Sequence, residues 1–223
     1  MGYNINQGLD PGKIQVFNPV TRVMEWIDLT DWTESVIVDS ENIPAGTLIT
    51  AQQQLVLYSN LNHQITTVAK LRPSVECNLV RPNQLPASWK MIVKALHIGL
   101  VSAGEVPIQQ HRAYLNSGYG LFRINNQRTE REGPFSFFGF PYGLGGMVAA
   151  DGALGAVERT VLSNGVVAPA SQPERLPIYI TDNMTFDFTA SFAFAIPAVI
   201  DLVPCVAVRL TAWMVGYIQK PVM

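Results

Sequence analysis

Cysteine is nearly absent. Cys77 and Cys205 are the whole complement of 223 residues; they lie far apart and in no C-x-x-C, which excludes a disulfide scaffold and a zinc knuckle and predicts two buried thiols. Charge is scarce too, at 14% of residues against about a quarter in a typical soluble domain. With a net charge of -2, the chain is not a generally basic nucleic-acid binder, and no sequence-specific nucleic-acid partner is expected. Its 48% hydrophobic content excludes disorder. A mean hydropathy of +0.17 means that much of the surface is neutral or covered by something else, which favours assembly.

Histidine is limited to His63, His97 and His111. A two-histidine, one-carboxylate metal site from His97, Glu105 and His111 is disfavoured, because such sites in jelly-roll oxygenases and cupins resemble one another in placing His-x-His or His-x-Asp on one strand. No long apolar run is present either. The most apolar stretch, Phe192 to Ile218, is broken by Pro197, Asp201, Pro204 and Arg209, so no membrane span is predicted. Met1 is followed by Gly2, Tyr3, Asn4 and Ile5 without a basic or apolar run, so no secretory leader is expected. Asn6 stands where an N-myristoylation signal wants Ser or Thr.

Catalytic motifs are missing in the same way. There is no G-x-S-x-G elbow, and no serine or cysteine has a histidine in a recognisable nucleophile context. Gly118-Tyr119-Gly120 opens like a dinucleotide fingerprint, but Arg123 replaces the third glycine, and Gly143-Leu144-Gly145-Gly146 lacks the Lys-Ser/Thr of a phosphate loop. Pairs such as Asp182 and Asp187, or Glu130 and Glu132, occur by chance in any chain. The expectation is no enzyme, with no catalytic residues, no metal and no cofactor.

What the sequence does contain is period two. From Thr185 to Phe194 the even positions, Ala190 excepted, are Phe186, Phe188, Phe192 and Phe194, while the odd ones are Thr, Asp, Ser or Ala. That pattern predicts a strand with one buried face. Cys205 to Tyr217 repeats it, with Val206, Val208, Leu210 and Met214 on one side and Arg209, Thr211, Trp213 and Tyr217 on the other, and the two strands are expected to pair. Further strands are predicted at 15–17, 23–28, 35–39, 47–50, 54–59, 64–69, 90–101, 120–125, 157–162, 166–168 and 177–181. Turn chemistry separates them at Asn18-Pro19, Pro44-Ala45-Gly46, Asn125-Asn126 and Asn164-Gly165. No long helix is predicted, the nearest candidates being 31–35 and 147–157. Many short strands without alternating helices give an all-β class, a sandwich or barrel.

Two segments differ from the sheet. Residues 1–12 are rich in Gly, Asn, Gln and Asp and read as an N-terminal arm. Residues 133–176 carry a run of glycines with Phe135, Phe137, Phe138, Phe140 and Tyr142, an insertion apolar enough to require a packing partner. The domain reading is therefore an arm at 1–12 and one β-sandwich over 13–223, with two small fused sandwiches as the alternative. Arg123, Arg128 and Arg131, interleaved with Glu130 and Glu132, read as a solvated hairpin tip or a subunit salt bridge.

The closing segment consists of the Phe-alternating strand, the loop Pro197 to Pro204 and an apolar strand ending in Gly216-Tyr217-Ile218-Gln219-Lys220-Pro221-Val222. It resembles the last strand pair of viral jelly-roll capsid proteins. The Ile43-Pro44-Ala45-Gly46-Thr47 turn and the Gly/aromatic insertion are similar to those of tailless, icosahedral bacteriophage capsid subunits. The resemblance covers about a third of the chain, as a pattern without an invariant motif. It implies an eight-stranded jelly-roll β-sandwich in a virion shell, a structural protein assembled in the host cytoplasm. It also implies contact with copies of itself, as a trimer or larger, and with other capsid proteins. The chain departs from that family in lacking the basic arm common in RNA-packaging subunits, and it is short for a double jelly roll. Subunit contacts are assigned from aromatic and charge context to Phe137, Phe140, Tyr142, Arg123 and Arg128. The competing reading is a β-sandwich binding module, a spike or decoration protein that recognises carbohydrate or a host receptor through the aromatic loop Phe135 to Tyr142.

Overall fold

The computed structural model describes residues 12–58, 79, 81–101, 106–125, 128–138, 146–149, 159–162, 177–200 and 202–221, with the backbone alone at 108, 128, 146–149 and 159–162. Residues 1–11 of the predicted arm, the predicted strands at 64–69 and 166–168, the Asn164-Gly165 turn, His63, Cys77 and most of the 133–176 insertion lie outside the described residues.

An N-terminal hairpin comes first, β1 (Lys13–Asn18) and β2 (Val23–Asp28), turning at Asn18, whose side-chain oxygen accepts from the Val20 and Thr21 amides. Then follow β3 (Thr33–Ile43), β4 (Gln54–Leu57), β5 (Lys90–Val101), α1 (Ile108–Ser117), β6 (Gly118–Ile124), β7 (Arg128–Pro134) and α2 (Phe135–Phe138). The remaining elements are β8 (Gly146–Ala149), β9 (Arg159–Leu162), β10 (Ile178–Thr181), β11 (Phe186–Phe192), β12 (Val199–Ile200), β13 (Val203–Pro204) and β14 (Val208–Gln219). The class is all-β. One sheet has six strands in the order β2-β1-β10-β5-β14-β3, and a second has four in the order β4-β11-β6-β7. β8 pairs with β9, and β12 with β13, as separate hairpins.

The pairing is nested. β3 pairs with β14, β4 with β11, β5 with β10 and β6 with β7, every pair antiparallel. In chain order these strands cross from one sheet to the other at each step except the β6–β7 turn. The β1–β2 hairpin lies outside this nest and joins the six-stranded sheet through a parallel contact, Phe17 opposite Ile178.

The two sheets share one core. Ile37, Met91, Ile98, Ile180, Leu210 and Met214 come from the larger sheet, and Leu57, Phe122, Phe186, Phe188 and Phe192 from the smaller. Tyr58 ties them together: its ring meets the edge of Phe186 and its hydroxyl donates to the Ala212 carbonyl at 2.9 Å. Burying the aromatic body while satisfying the hydroxyl is what a core tyrosine requires. On β3 the alternation puts Asp39 in the same row as core-facing Ile37, and this fully buried carboxylate accepts the Tyr58 amide.

Glycines in β6 make room for aromatic rings. A Cβ at Gly118 would lie 2.1 Å from the Phe135 ring and one at Gly120 2.6 Å from Phe138, so α2 sets two phenylalanines against the two glycines that open β6. A Cβ at Gly216 would meet the Ile92 carbonyl oxygen, where the β5–β14 register shifts at a bulge.

Several expectations are corrected. β11 and β14 do not pair; they lie in opposite sheets, because each takes partners nested earlier in the chain. The strand β11 ends at Phe192 and is buried on both faces, since outward-facing Asp187 and Thr189 are covered along with the phenylalanines. Phe194, expected in that strand, stands 69% exposed. On the side of β14 away from Val208, Leu210 and Met214, Trp213 and Tyr217 are half-buried. Residues 47–50 contribute a single bridge, Ile49 to Ile196, instead of a strand. Helix α1 was not expected; β3 begins inside the 31–35 helix candidate, β8 takes 147–149 of the other, and 150–157 lie outside the described residues. The α1 face that packs inward carries Gln110, His111, Tyr114 and Ser117, so no apolar stripe marks it in the sequence.

Candidate functional site

Arg123 and Phe137 are separated by the four-stranded sheet. Phe122 faces the core, so Arg123 faces away from it, lying along the outer surface toward β11. There its Nε and Nη2 donate to Asp187 Oδ1 at 3.1 and 3.0 Å, and Nη2 also donates to Thr189 Oγ1. A guanidinium that neutralises a buried carboxylate of its own chain is held as a structural group. Phe137 packs over Gly133 on the other side, 49% exposed, with the Arg131 guanidinium 4.5 Å from its ring centre. Arg128 occupies the first position of β7, opposite Ile124. Phe140 and Tyr142 lie outside the described residues. Of the aromatic loop offered for carbohydrate, Phe135 and Phe138 are core residues, a correction that follows from the glycine gaps they fill.

His97 and His111 are both buried, His97 in β5 and His111 in α1. Desolvation holds both imidazoles below the ordinary histidine pKa. For His97 a hydrogen bond with the Phe138 backbone opposes that shift, while the Arg131 charge adds to it. Neither His111 ring nitrogen has a hydrogen-bond partner among the described residues. Among those residues no three His, Cys, Asp or Glu side chains come together as a metal cluster. No helix of the described residues is long and apolar enough to cross a membrane.

Exposed apolar side chains gather in two places, Val20, Val23 and Trp26 on the β1–β2 hairpin and a second group, which includes the two most exposed, Leu202 and Phe194, at one end of the two-sheet body. The corner between β3 and β4 and the segment between β11 and β14 are laced together there: Ile49 and Ile196 exchange backbone hydrogen bonds, the Gly46 amide donates to the Cys205 carbonyl, and the Gln52 amide to that of Phe192. The Gln110 amide from α1 clamps the same segment, donating to the Val206 carbonyl and accepting its N–H, both at 2.9 Å. Leu48, Phe194, Val199 and Leu202 project outward from this scaffold. Sequence reasoning missed them, although the apolar run broken by Pro197, Asp201 and Pro204 held three of the four. At the corner a cavity of about 190 Å³ opens beside Glu41, Ile43, Pro44, Thr47, Ile49 and Leu55.

A second, open groove of about 720 Å³ involves Trp32, Ser88, Lys90, Asp182 and Lys220. Asp182 accepts the Ser88 amide at 2.6 Å, and the Lys220 ammonium lies 4.8 Å from the Trp89 ring centre. No protein-family model matches the chain, and no curated protein does.

Proposed function

We propose that this chain is a structural subunit of a viral shell, a jelly roll that assembles with copies of itself, as a trimer or larger, and takes no cofactor or catalytic role. The observation that carries this reading is the nested pairing of β3 with β14, β4 with β11, β5 with β10 and β6 with β7 across two sheets. Two sheets of antiparallel strands wound in this order are the plan of the jelly roll, which capsid, lectin and cupin domains share. Among those, the scarcity of charge and the apolar side chains exposed at one end favour a shell subunit, because interface cores are depleted in charge. The test is absolute mass by light scattering during size exclusion across a tenfold concentration range. A trimer, hexamer or shell is expected, with particles visible on imaging. A monomer of 24.5 kDa at every concentration overturns the reading.

The groove at Trp32 favours one second reading, a carbohydrate-binding module, since an indole beside carboxylate, hydroxyl and ammonium groups offers both a stacking face and hydrogen bonds to a sugar. Saturable binding on titration with cell-surface polysaccharide, abolished by Trp32→Ala, is its expected outcome. A shell subunit shows none.

A further inference from the structure

The hairpin β12–β13 ends in a side chain that is disfavoured twice. Ile200 pairs with Val203, and Leu202, between them, is 95% exposed. Leu202 also has φ +65°, the left-handed region that glycine and asparagine occupy at least cost. An apolar branched side chain held out in water on a strained backbone points to a surface that covers it.

A cavity suited to it lies at the same corner. Ile43, Pro44, Ile49 and Leu55 give the 190 Å³ space its apolar walls, beside Glu41, Asn42, Thr47 and Gln53, and cavities of about 150 Å³ with apolar walls accept a benzene ring, so an isobutyl group has room. The hairpin cannot fill its own cavity while Leu202 stands exposed. We propose that Leu202 of one copy inserts into the Ile43–Leu55 cavity of the next, a knob-and-hole contact that each subunit both offers and receives. This rests on the reading of the chain as a self-assembling subunit and names the surface through which it does so.

Charge selects the partner. The cavity lining and the segments 44–53 and 193–207 contain two carboxylates, Glu41 and Asp201, and no Lys or Arg. Nothing basic is present to draw the hairpin to anionic lipid headgroups, whereas an apolar knob entering the mostly apolar cavity of another copy desolvates at little cost. Because hairpin and cavity are different patches, the contact is heterologous, and a rotation that closes generates a ring such as a trimer.

Two variants test it, each read by light scattering beside the wild type. Leu202→Gly removes the knob and relieves the left-handed strain, so it is expected to melt no lower than wild type and to run as a monomer. Thr47→Phe fills the cavity from its half-buried rim and is likewise expected to be monomeric. Mixed one to one, the first supplies an open cavity and the second an intact knob, so the pair recovers one contact and a mass twice that of either alone. General damage to the fold would not be repaired by mixing. Assembly of Leu202→Gly at wild-type strength overturns the inference and leaves the shell reading standing; a monomeric wild type overturns both. Flotation of wild type, but not Leu202→Gly, with phosphatidylcholine vesicles while assembly is unchanged also overturns it, making lipid the occupant.

Discussion

Burial disfavours the charged form of a histidine, and His111 is buried with neither ring nitrogen hydrogen-bonded among the described residues. Its folded pKa lies below the ordinary value of 6.5 because burial disfavours the cation. The unfolded chain therefore takes up the proton first, and linkage makes the folded state less stable as pH falls below about 6.5, with no effect from this group above it. Replacing His111 by Phe keeps an apolar ring and removes the proton site. Thermal melting at pH 7.5 and pH 5 is expected to show a smaller loss on acidification for His111→Phe than for wild type, and an equal loss would assign the acid sensitivity elsewhere. Arg123 illustrates the opposite handling of charge. Its bonds to Asp187 neutralise a buried carboxylate within the chain, a role that a cluster of arginines and glutamates in sequence did not distinguish from a solvated tip or a subunit salt bridge.

The four-residue helix α2 fills the space that β6 leaves. Phe135 meets Phe192 edge to face, with ring centres 5.9 Å apart, and Phe138 meets Phe188 likewise at 5.1 Å. Truncating Phe138 to Ala leaves a hole bounded by Gly120, which cannot expand to fill it, so a loss of about 3–5 kcal/mol is expected on urea unfolding. Legibility in the sequence follows the same physics. β2 and β5 were read closely as runs rich in apolar residues, although β5 is buried on both faces and carries no outward polar row. β7, with Arg, Thr, Glu and Gly in place of apolar residues, gave no alternation to read. α1 was invisible because its inward face is largely polar: the Gln110 amide satisfies the backbone of Val206, in the segment before β14, a partnership that pattern does not encode. The outward leucine of β12–β13 was hidden for a related reason, since composition identifies an apolar run without saying which of its side chains the core takes.

The molecule as a whole is organised by pairings that span the chain, and period-two alternation carries no information about which strand meets which. The sequence therefore supported an all-β class, while strand order emerged only in the structure and reversed the expected partnership of β11 with β14. Nesting also makes the contacts long in sequence, which slows folding, because loops must close before the pairings they permit stabilise anything. Refolding after dilution from denaturant is expected in milliseconds to seconds, followed by stopped-flow tryptophan fluorescence; a microsecond phase carrying the full amplitude would contradict this.

β14 lies between β5 and β3, touching both along nearly their whole lengths. It is also the last of these strands to be translated. Until residues 208–219 have left the ribosome, β3 and β5 have no shared neighbour and one side of the core has no wall. A nascent chain stalled before that point exposes its phenylalanines to solvent. The finished protein closes over them in one step, so the interval between the synthesis of β11 and that of β14 is when this chain most needs a chaperone.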